Sequence, residues 1–318
     1  MVSEFEFIEN IKSRYSLDKI GDDCAVLPKD ADTDLLLTAD MLVEDIDFRL
    51  EWTTPELLGH KSLAVSLSDI ASMGGDPKWA MLSVGVPESL WKTDFLDRLY
   101  VGFMAFAIEF NVELVGGDVS KTPDKVVIDS IVGGYVAKGK AILRSGAKPG
   151  DAIFITGTLG AAAGGLKLLE NGARLVDSMS QTDLGLLLRQ LQPRPQLTTA
   201  KLLNQLNIVT AMIDVSDGLS SDLVHLCRAS NVGARIDANM LPLDPSLTAH
   251  FPPNECLDMT LNGGEDFQLL FTADKNAVAR ANIVGITQIG EVTANDGTLD
   301  LLKGNVPERL LPNGFRHF

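Results

Sequence analysis

Six short segments of this chain share one design. "GDDCAV" (21–26), "LLLTAD" (35–40), "SLSDIAS" (66–72), "LVGGDVS" (114–120), "IDVSDG" (213–218) and "LNGGEDF" (261–267) each set a carboxylate beside Gly, Ser or Thr, mostly next to an apolar run. Strand ends facing one way would bring such acids together. Any one segment is ordinary: Asp and Ser at strand–helix junctions cap helices, and Gly-Gly-Asp makes turns. Asp69 is harder to place. It lies inside an apolar helical stretch, on a stripe with Ser62 and Ser66 at spacings of four and three. A lone buried carboxylate is costly, so Asp69 needs a partner. Two like charges about 4 Å apart repel by ~4 kcal/mol at an effective dielectric of ~20. Converging acids therefore need cations between them. The available ligands are oxygens, which suit Mg²⁺ or Ca²⁺ rather than zinc. Mg²⁺ usually takes one or two carboxylates plus substrate phosphates. The acids thus point to a metal-bridged phosphate site.

The totals fit that site and exclude others. Lys and Arg number 27 against 43 Asp and Glu, a net charge of −16. Such a balance argues against non-specific nucleic-acid binding, which depends on neutralising phosphates with Lys and Arg. A chain of 318 residues, 45% apolar, suggests two domains with real cores. No apolar run approaches the ~20 residues of a membrane span. The first residues, "MVSEFEFIENIKSRY", are acidic and lack an apolar signal region. Cys24, Cys227 and Cys256 form no CxxC pair. A disulfide framework or zinc site is not expected, and a reducing cytoplasm is.

Strand and helix patterns alternate. Residues 34–39 read as a buried strand ending in Asp40. Thr54-Pro55 starts a helix that runs to Met73 and stops at Gly74-Gly75. A second helix fits 94–110, and strands fit 112–116 and 126–136. "AKGKAILRSGAKPGD" breaks the pattern, so the domain boundary falls near residue 139, giving domains 1–139 and 140–318. Beyond it, 152–157 is a strand and a Gly/Ala-rich helix reaches about residue 170. Helices follow at 181–191 and 196–206, a strand at 209–215, and a helix from 217 to Asn231. "FQLLFTA" and "ITQIGEVTA" are later strands. The fold class is α/β or α+β in two parts.

Several catalytic motifs are missing: the phosphate loop GxxxxGK[ST], the GxSxG elbow and any His metal spacing. "GTLGAAAGG" (157–165) follows a strand but is not GxGxxG, and reads as close helix packing. No covalent nucleophile has a neighbouring base in sequence. Phosphoryl transfer remains, because it needs mainly positioning and charge neutralisation.

"IGDDCAVL", "LAVSLSDIASMGG.P", "LVGGDVSK", "LRSGAKPGD", "DVSDGLSSDL" and "NGGEDFQLLF", in that order, resemble the thiamine-monophosphate kinase family. Its superfamily also holds aminoimidazole ribonucleotide synthetase and selenophosphate synthetase. The resemblance implies phosphorylation of thiamine monophosphate by ATP, with several Mg²⁺ ions and in-line transfer without a phosphoenzyme. It implies a two-domain PurM-like fold and a homodimer whose N-terminal strands form a barrel across the two-fold axis. Metal-binding acids carry over to Asp22 or Asp23, and to Asp40, Asp69, Asp118, Asp214 and Asp217. Thr38 adds an oxygen, whereas Ala39 stands where the family often has a hydroxyl. Tyr100, Gly117, Asp118, Arg144 and Ser216 match positions near the nucleotide. Glu265 and Phe315 match substrate positions. Asp47 replaces the family's substrate-contacting His, in "DMLVEDIDF" for "DMLVEGVHF". An acid there favours a cationic thiazolium or repels a phosphate.

Each role has a plainer competitor. Arg144 is either a charge neutraliser or a solvated loop residue. Glu265 is a substrate ligand or part of a turn, and Phe315 stacks on a substrate ring or packs the C-terminus. Asp222 faces solvent or braces its helix. Two other functions compete: another ATP-dependent enzyme of the superfamily, and a non-catalytic cation- or nucleotide-binding protein. Selenophosphate synthetases usually carry a reactive Cys or Sec with a Lys in a Gly-rich N-terminal loop, and "GDDCAVL" lacks that Lys.

Overall fold

The computed structural model describes residues 4–317, apart from 177, 296 and 305. Its strands are β1 (Ala25–Pro28), β2 (Thr33–Val43), β3 (Asp76–Pro87), β4 (Glu113–Thr122), β5 (Val127–Ala137), β6 (Ala152–Thr156), β7 (Val209–Asp214), β8 (Gly233–Asp237), β9 (Leu269–Ala273), β10 (Ile286–Thr293), β11 (Leu299–Lys303) and β12 (Val306–Arg309). Its helices are α1 (Glu4–Tyr15), α2 (Pro55–Ser72), α3 (Glu88–Trp91), α4 (Phe95–Glu109), α5 (Ala161–Glu170), α6 (Gln181–Leu191), α7 (Leu197–Leu206), α8 (Leu219–Ser230), α9 (Pro253–Asn262) and α10 (Lys275–Ala281).

The first sheet runs β1-β2-β5-β3-β4 and the second β12-β11-β8-β10-β6-β9-β7. β3 pairs with β4 in parallel and β8 with β11 in parallel, and the other pairings are antiparallel, so the fold is mixed α/β. Neither sheet closes into a barrel among the described residues: β1 and β4 are left as the edges of the first. The barrel expected of the N-terminal strands is therefore not made within one chain. No helix among the described residues is long and apolar enough to cross a membrane.

Most expected elements form at the expected residues, but two extend further. β2 continues to Val43 and β4 to Thr122, so Asp40 and Asp118 sit inside strands, not at their ends. β3 was not anticipated. Its signal is alternation: Ala80, Leu82, Val84 and Val86 are buried, while the residues between them are more open. Gly85 and Pro87 interrupt that pattern.

α2 ties the two sheets together. The Thr54 hydroxyl accepts from the Leu57 amide at 3.3 Å, and Pro55 fills the first turn, as the sequence predicts. Every residue from Leu58 to Ser72 is buried except Asp69. A helix buried all round belongs inside a protein. Leu63, Leu67 and Ile70 share one apolar core with Leu82 and Ile128 of the first sheet and with Phe154, Met212 and Phe271 of the second. α2 also crosses α4 at two glycines. A Cβ on Gly59 would lie 1.9 Å from the Leu99 carbonyl oxygen, and one on Gly102 would lie 1.8 Å from that of Glu56.

That crossing is testable. Gly to Ala in a helix ordinarily gains about 0.5–1 kcal/mol, whereas overpacking costs about 1–3 kcal/mol. Gly59→Ala and Gly102→Ala should each lower the melting temperature. A melting temperature equal to or above the parent's would show that the helices separate freely.

Candidate active site

Asp23, Asp69 and Asp214 each offer a carboxylate oxygen, and these atoms lie within 4.8 Å of one another. They come from the segment before β1, from α2 and from the end of β7. Hydroxyls hold the acids in place. Thr38 donates to Asp69 at 2.5 Å, Ser68 to Asp214 at 2.5 Å and Ser66 to Asp40 at 2.7 Å. Ser66 also meets Ser130 at 2.6 Å. α2 supplies Ser66, Ser68 and Asp69 within one turn. Ser62, expected on the same stripe, instead returns its hydroxyl to the Gly59 carbonyl at 2.9 Å.

Arg144 is the cation of the cluster. Its Nε donates to Asp23 Oδ1 at 2.9 Å, its Nη2 reaches the same oxygen, and its backbone amide donates to Asp22 at 2.8 Å. Burial disfavours the Arg144 charge, but Asp23, with Asp214 and Asp69 behind it, outweighs this and holds the guanidinium protonated. Arg144 is thus no solvated loop residue. The Asp23 side chain is 1% exposed. Its Oδ2 is buried without a hydrogen-bond partner among the described residues. A carboxylate can only accept, so this oxygen awaits a proton donor or a cation.

Burial is the main force on the other acids. It pushes Asp214 up to about 8, with Asp23 adding to the shift. It pushes Asp40 up to about 6, against the Ser66 hydrogen bond and with a smaller contribution from Asp129. It raises Asp69 as well, followed by the charges of Asp40 and Asp214. Burial also lifts Asp22 and Asp217. A site that makes carboxylates this reluctant to ionise, with an orphaned oxygen at its centre, fits a hard divalent cation.

The loop after β7 meets two others by backbone contacts. Glu265 donates its amide to the Ser216 carbonyl at 2.8 Å, Phe267 to that of Val215 at 2.9 Å and Phe315 to that of Asp217 at 3.0 Å. Gly218 makes this possible: its φ is 118°, and a Cβ there would lie 2.8 Å from the Asn262 backbone. Ser216, Asp217, Glu265 and Phe315 are thereby gathered. Asp217 and Phe315 line one cleft of about 390 Å³ with His225 and Arg228. Phe315 is 47% exposed, so it does not pack the C-terminus into a core. Asp222 does not face solvent. It is buried and accepts from the Gly218 amide at 3.0 Å, bracing the turn that carries Asp217.

The expected residues near the β4 edge lie apart from the acids. Asp40 pairs across β5 with Ser130, which pairs with Leu82, which pairs with Gly117. At ~4.8 Å per strand, Gly117 is about 14 Å from Asp40. Asp118 is one residue further along the same edge strand and is not among the three acids that converge. Asp118 therefore does not join the acid cluster of its own chain. It lines a hollow of about 470 Å³ with Tyr100 and Gly117 at the β4 edge. The Asp47 carboxylate turns back to accept from the Val43 amide at 2.7 Å, closing the turn after β2.

Four contributors escaped the sequence reading: Ser68, Lys61, Gln190 and Asp129. Lys61 is 3% exposed and sits 2.7 Å from Glu265. Its signal was available, since a Lys inside "GHKSLAVS" raises the same question as Asp69. Gln190 donates to Glu265 from α6, a contact no sequence spacing reveals. The "GTLGAAAGG" helix is not a phosphate site: the buried Asp266 carboxylate already accepts from Gly160 and Ala162 at its N-terminus.

Two family models match successive stretches of the chain. "AIR synthase related protein, N-terminal domain" matches residues 21–136, and "AIR synthase related protein, C-terminal domain" matches 148–301. The thiamine-monophosphate kinase of Escherichia coli (strain K12) is 38% identical over 307 residues, covering 94% of this chain and 91% of that protein. That of Bacillus subtilis (strain 168) is 36% identical over 330 residues, covering both chains entirely. A solved structure described as "AaThiL complexed with AMPPCP and TMP" superposes with a TM-score of 0.89 at 32% identity, over 100% of this chain and 97% of that one. With its acids, its Arg144 and its two matched domains, the chain belongs to the AIR synthase related family and, within it, to the thiamine-monophosphate kinases.

Proposed function

We propose that this protein transfers the γ-phosphoryl group of ATP directly to the phosphate of thiamine monophosphate. The bond from the γ-phosphorus to the β,γ-bridging oxygen breaks, one from the γ-phosphorus to an acceptor phosphate oxygen forms, and ADP and thiamine diphosphate leave. The observation that carries this reading is the group of three carboxylates with an orphaned oxygen beside Arg144. The relatives named thiamine-monophosphate kinase and the homologue bound to AMPPCP and TMP supply the substrates. Asp23, Asp69 and Asp214, with Asp22, Asp40 and Asp217 around them, are the residues to hold Mg²⁺. Bound there, Mg²⁺ neutralises phosphate charge and orients the reacting groups. Arg144 contributes a fixed positive charge to the transferring group. No general base is needed, because the acceptor phosphate is already anionic. Glu265 and Phe315 orient the acceptor. The two domains are taken as 1–139 and 140–318, in a cytoplasmic enzyme.

The acceptor and the chemistry are tested together. Protein with Mg²⁺, ATP and thiamine monophosphate should give ADP and thiamine diphosphate in equal amounts, and Arg144→Ala should lower kcat by about 10²–10³-fold. Release of orthophosphate in place of thiamine diphosphate would refute the kinase reading.

A pH dependence follows from the raised carboxylates. In the metal-free fold Asp40, Asp69 and Asp214 keep protons that the unfolded chain loses near 4. Their contribution to stability is present below about pH 4 and is lost as pH rises through about 6 to about 8. Mg²⁺ competes for the same oxygens, so its stabilisation grows over that window. In EDTA the melting temperature should fall between about pH 5.5 and about pH 8, and Mg²⁺ should raise it by several degrees more at the higher pH. An equal Mg²⁺ effect at both would remove these acids from the metal site.

A homodimer is part of the proposal. The first sheet is apolar on its outer face too: Ala39, Ile131 and Met81 form one cross-strand row, beside Leu37 and Met41. Met41 is 60% exposed and Met81 37%. A sheet face of this kind calls for a cover, and a second copy supplies one. The nucleotide contacts of Tyr100, Gly117 and Asp118 also need it, since they lie away from their own chain's acid cluster. The mass in solution should be twice 34.2 kDa. Met41→Asp with Met81→Asp should halve it, and a wild-type monomer would exclude this interface.

A further inference from the structure

Lys61 has no role in the chemistry described so far, yet it is among the most confined charges in the protein. It projects from the middle of α2 and is 3% exposed. Its Nζ lies 2.7 Å from Glu265 Oε1 and 2.8 Å from Oε2, so it grips both carboxylate oxygens. The same ammonium reaches the backbone carbonyls of Asp47 and Gln190, each at 3.4 Å. Gln190 also donates its side-chain amide to Glu265 Oε2. Glu265 itself is held at a φ of 64°, a left-handed backbone that side chains other than Gly seldom adopt. An ion pair and a left-handed backbone at one residue, spanning both halves of the chain, are expensive to maintain without a use.

We infer that Lys61 is a positioning residue for the acceptor: it fixes the Glu265 carboxylate and the Asp47 turn in one arrangement, and so sets how the thiamine moiety is gripped. The inference rests on the proposed function, in which Glu265 contacts the acceptor. Its structural basis is the helix. Lys61 and Asp69 are eight residues apart on α2, about 12 Å along its axis. One end of that rod orders the acceptor residues, and the other orders the acids. Lys61 does not touch the transferring phosphoryl group in this scheme. Its loss should act on acceptor binding and not on the chemical step.

The experiment compares Lys61→Met, Glu265→Gln and the double variant. In Lys61→Met the KM for thiamine monophosphate should rise at least tenfold, while kcat and the KM for ATP change less than threefold. The double variant should match Glu265→Gln in KM, because Lys61 acts through Glu265. It also leaves no unpaired buried charge, so it carries the test if Lys61→Met alone does not fold. Equal rises in both KM values, a loss confined to kcat, or a double variant tenfold worse than Glu265→Gln would overturn the inference. A lower KM in Lys61→Met would overturn it too, since Lys61 would then merely mask Glu265. Wild-type protein that binds no thiamine monophosphate, by calorimetry with Mg²⁺ and a non-hydrolysable ATP analogue, would instead overturn the acceptor reading and take this inference with it. Wild-type binding with unaltered binding in Lys61→Met would sink the Lys61 role alone.

Discussion

The repulsion among buried carboxylates is the constraint on which the rest of this structure depends. Asp23, Asp69 and Asp214 approach within 4.8 Å, with Asp214 buried and the other two partly buried. At such separations each pair of charges opposes the other by about 3.5 kcal/mol at an effective dielectric of ~20, about a quarter to two-thirds of a typical domain's net stability. The fold meets this in three ways. Thr38, Ser66 and Ser68 donate hydroxyls to the acids, Arg144 sets a guanidinium against Asp23, and burial keeps Asp214 and Asp40 partly protonated near neutrality. Each device lowers the cost of the metal-free state. None satisfies Asp23 Oδ2.

α2 is what makes the convergence possible. A surface helix presents one apolar stripe and leaves its other face to solvent. α2 is instead enclosed by α4, the first sheet, α7 and the second sheet, so polar residues on any of its faces find partners in the interior. Ser66 reaches back to β2 and β5, Ser68 reaches across to β7, and Lys61 reaches the loop before β9. The close crossing at Gly59 and Gly102 fixes the height of the helix and therefore where these groups arrive.

Much of this was legible in the sequence, and the reasons for the gaps are physical. Thr54-Pro55 and Gly74-Gly75 announce the ends of α2 through local backbone chemistry, which depends on nothing distant. Asp69 stood out because a carboxylate inside an apolar helical stretch is costly wherever the chain folds, whereas nothing local distinguished Asp23 from Asp22 or Asp214 from the other acids of the six segments. Pairing was not legible. Asp118 and Asp40 look alike in their segments, yet strand order places β4 three strands from β2, about 14 Å away. Asp47 closes a turn through the Val43 amide four residues back, while its carbonyl meets the Lys61 ammonium that also holds Glu265. Lys61 shows a different gap: the burial argument used for Asp69 applied equally to a cation and pointed to the same interior.

The pairing of Arg144 with Asp23 gives the site a thermodynamic direction. On the proposed reading Arg144 serves a phosphate and Asp23 serves a cation, yet here each neutralises the other. A phosphate arriving alone would draw Arg144 away and leave Asp23 buried without its counter-charge. A cation arriving alone would leave Arg144 in the same position. Breaking one partner from a buried pair costs about 3–5 kcal/mol, so either ligand alone binds against that penalty. Arriving together, they satisfy both residues at once. Metal and nucleotide are then positively coupled by the ion pair itself, each raising the other's affinity by the same factor. On the proposed reading, that coupling is how a protein of net charge −16 holds a polyphosphate.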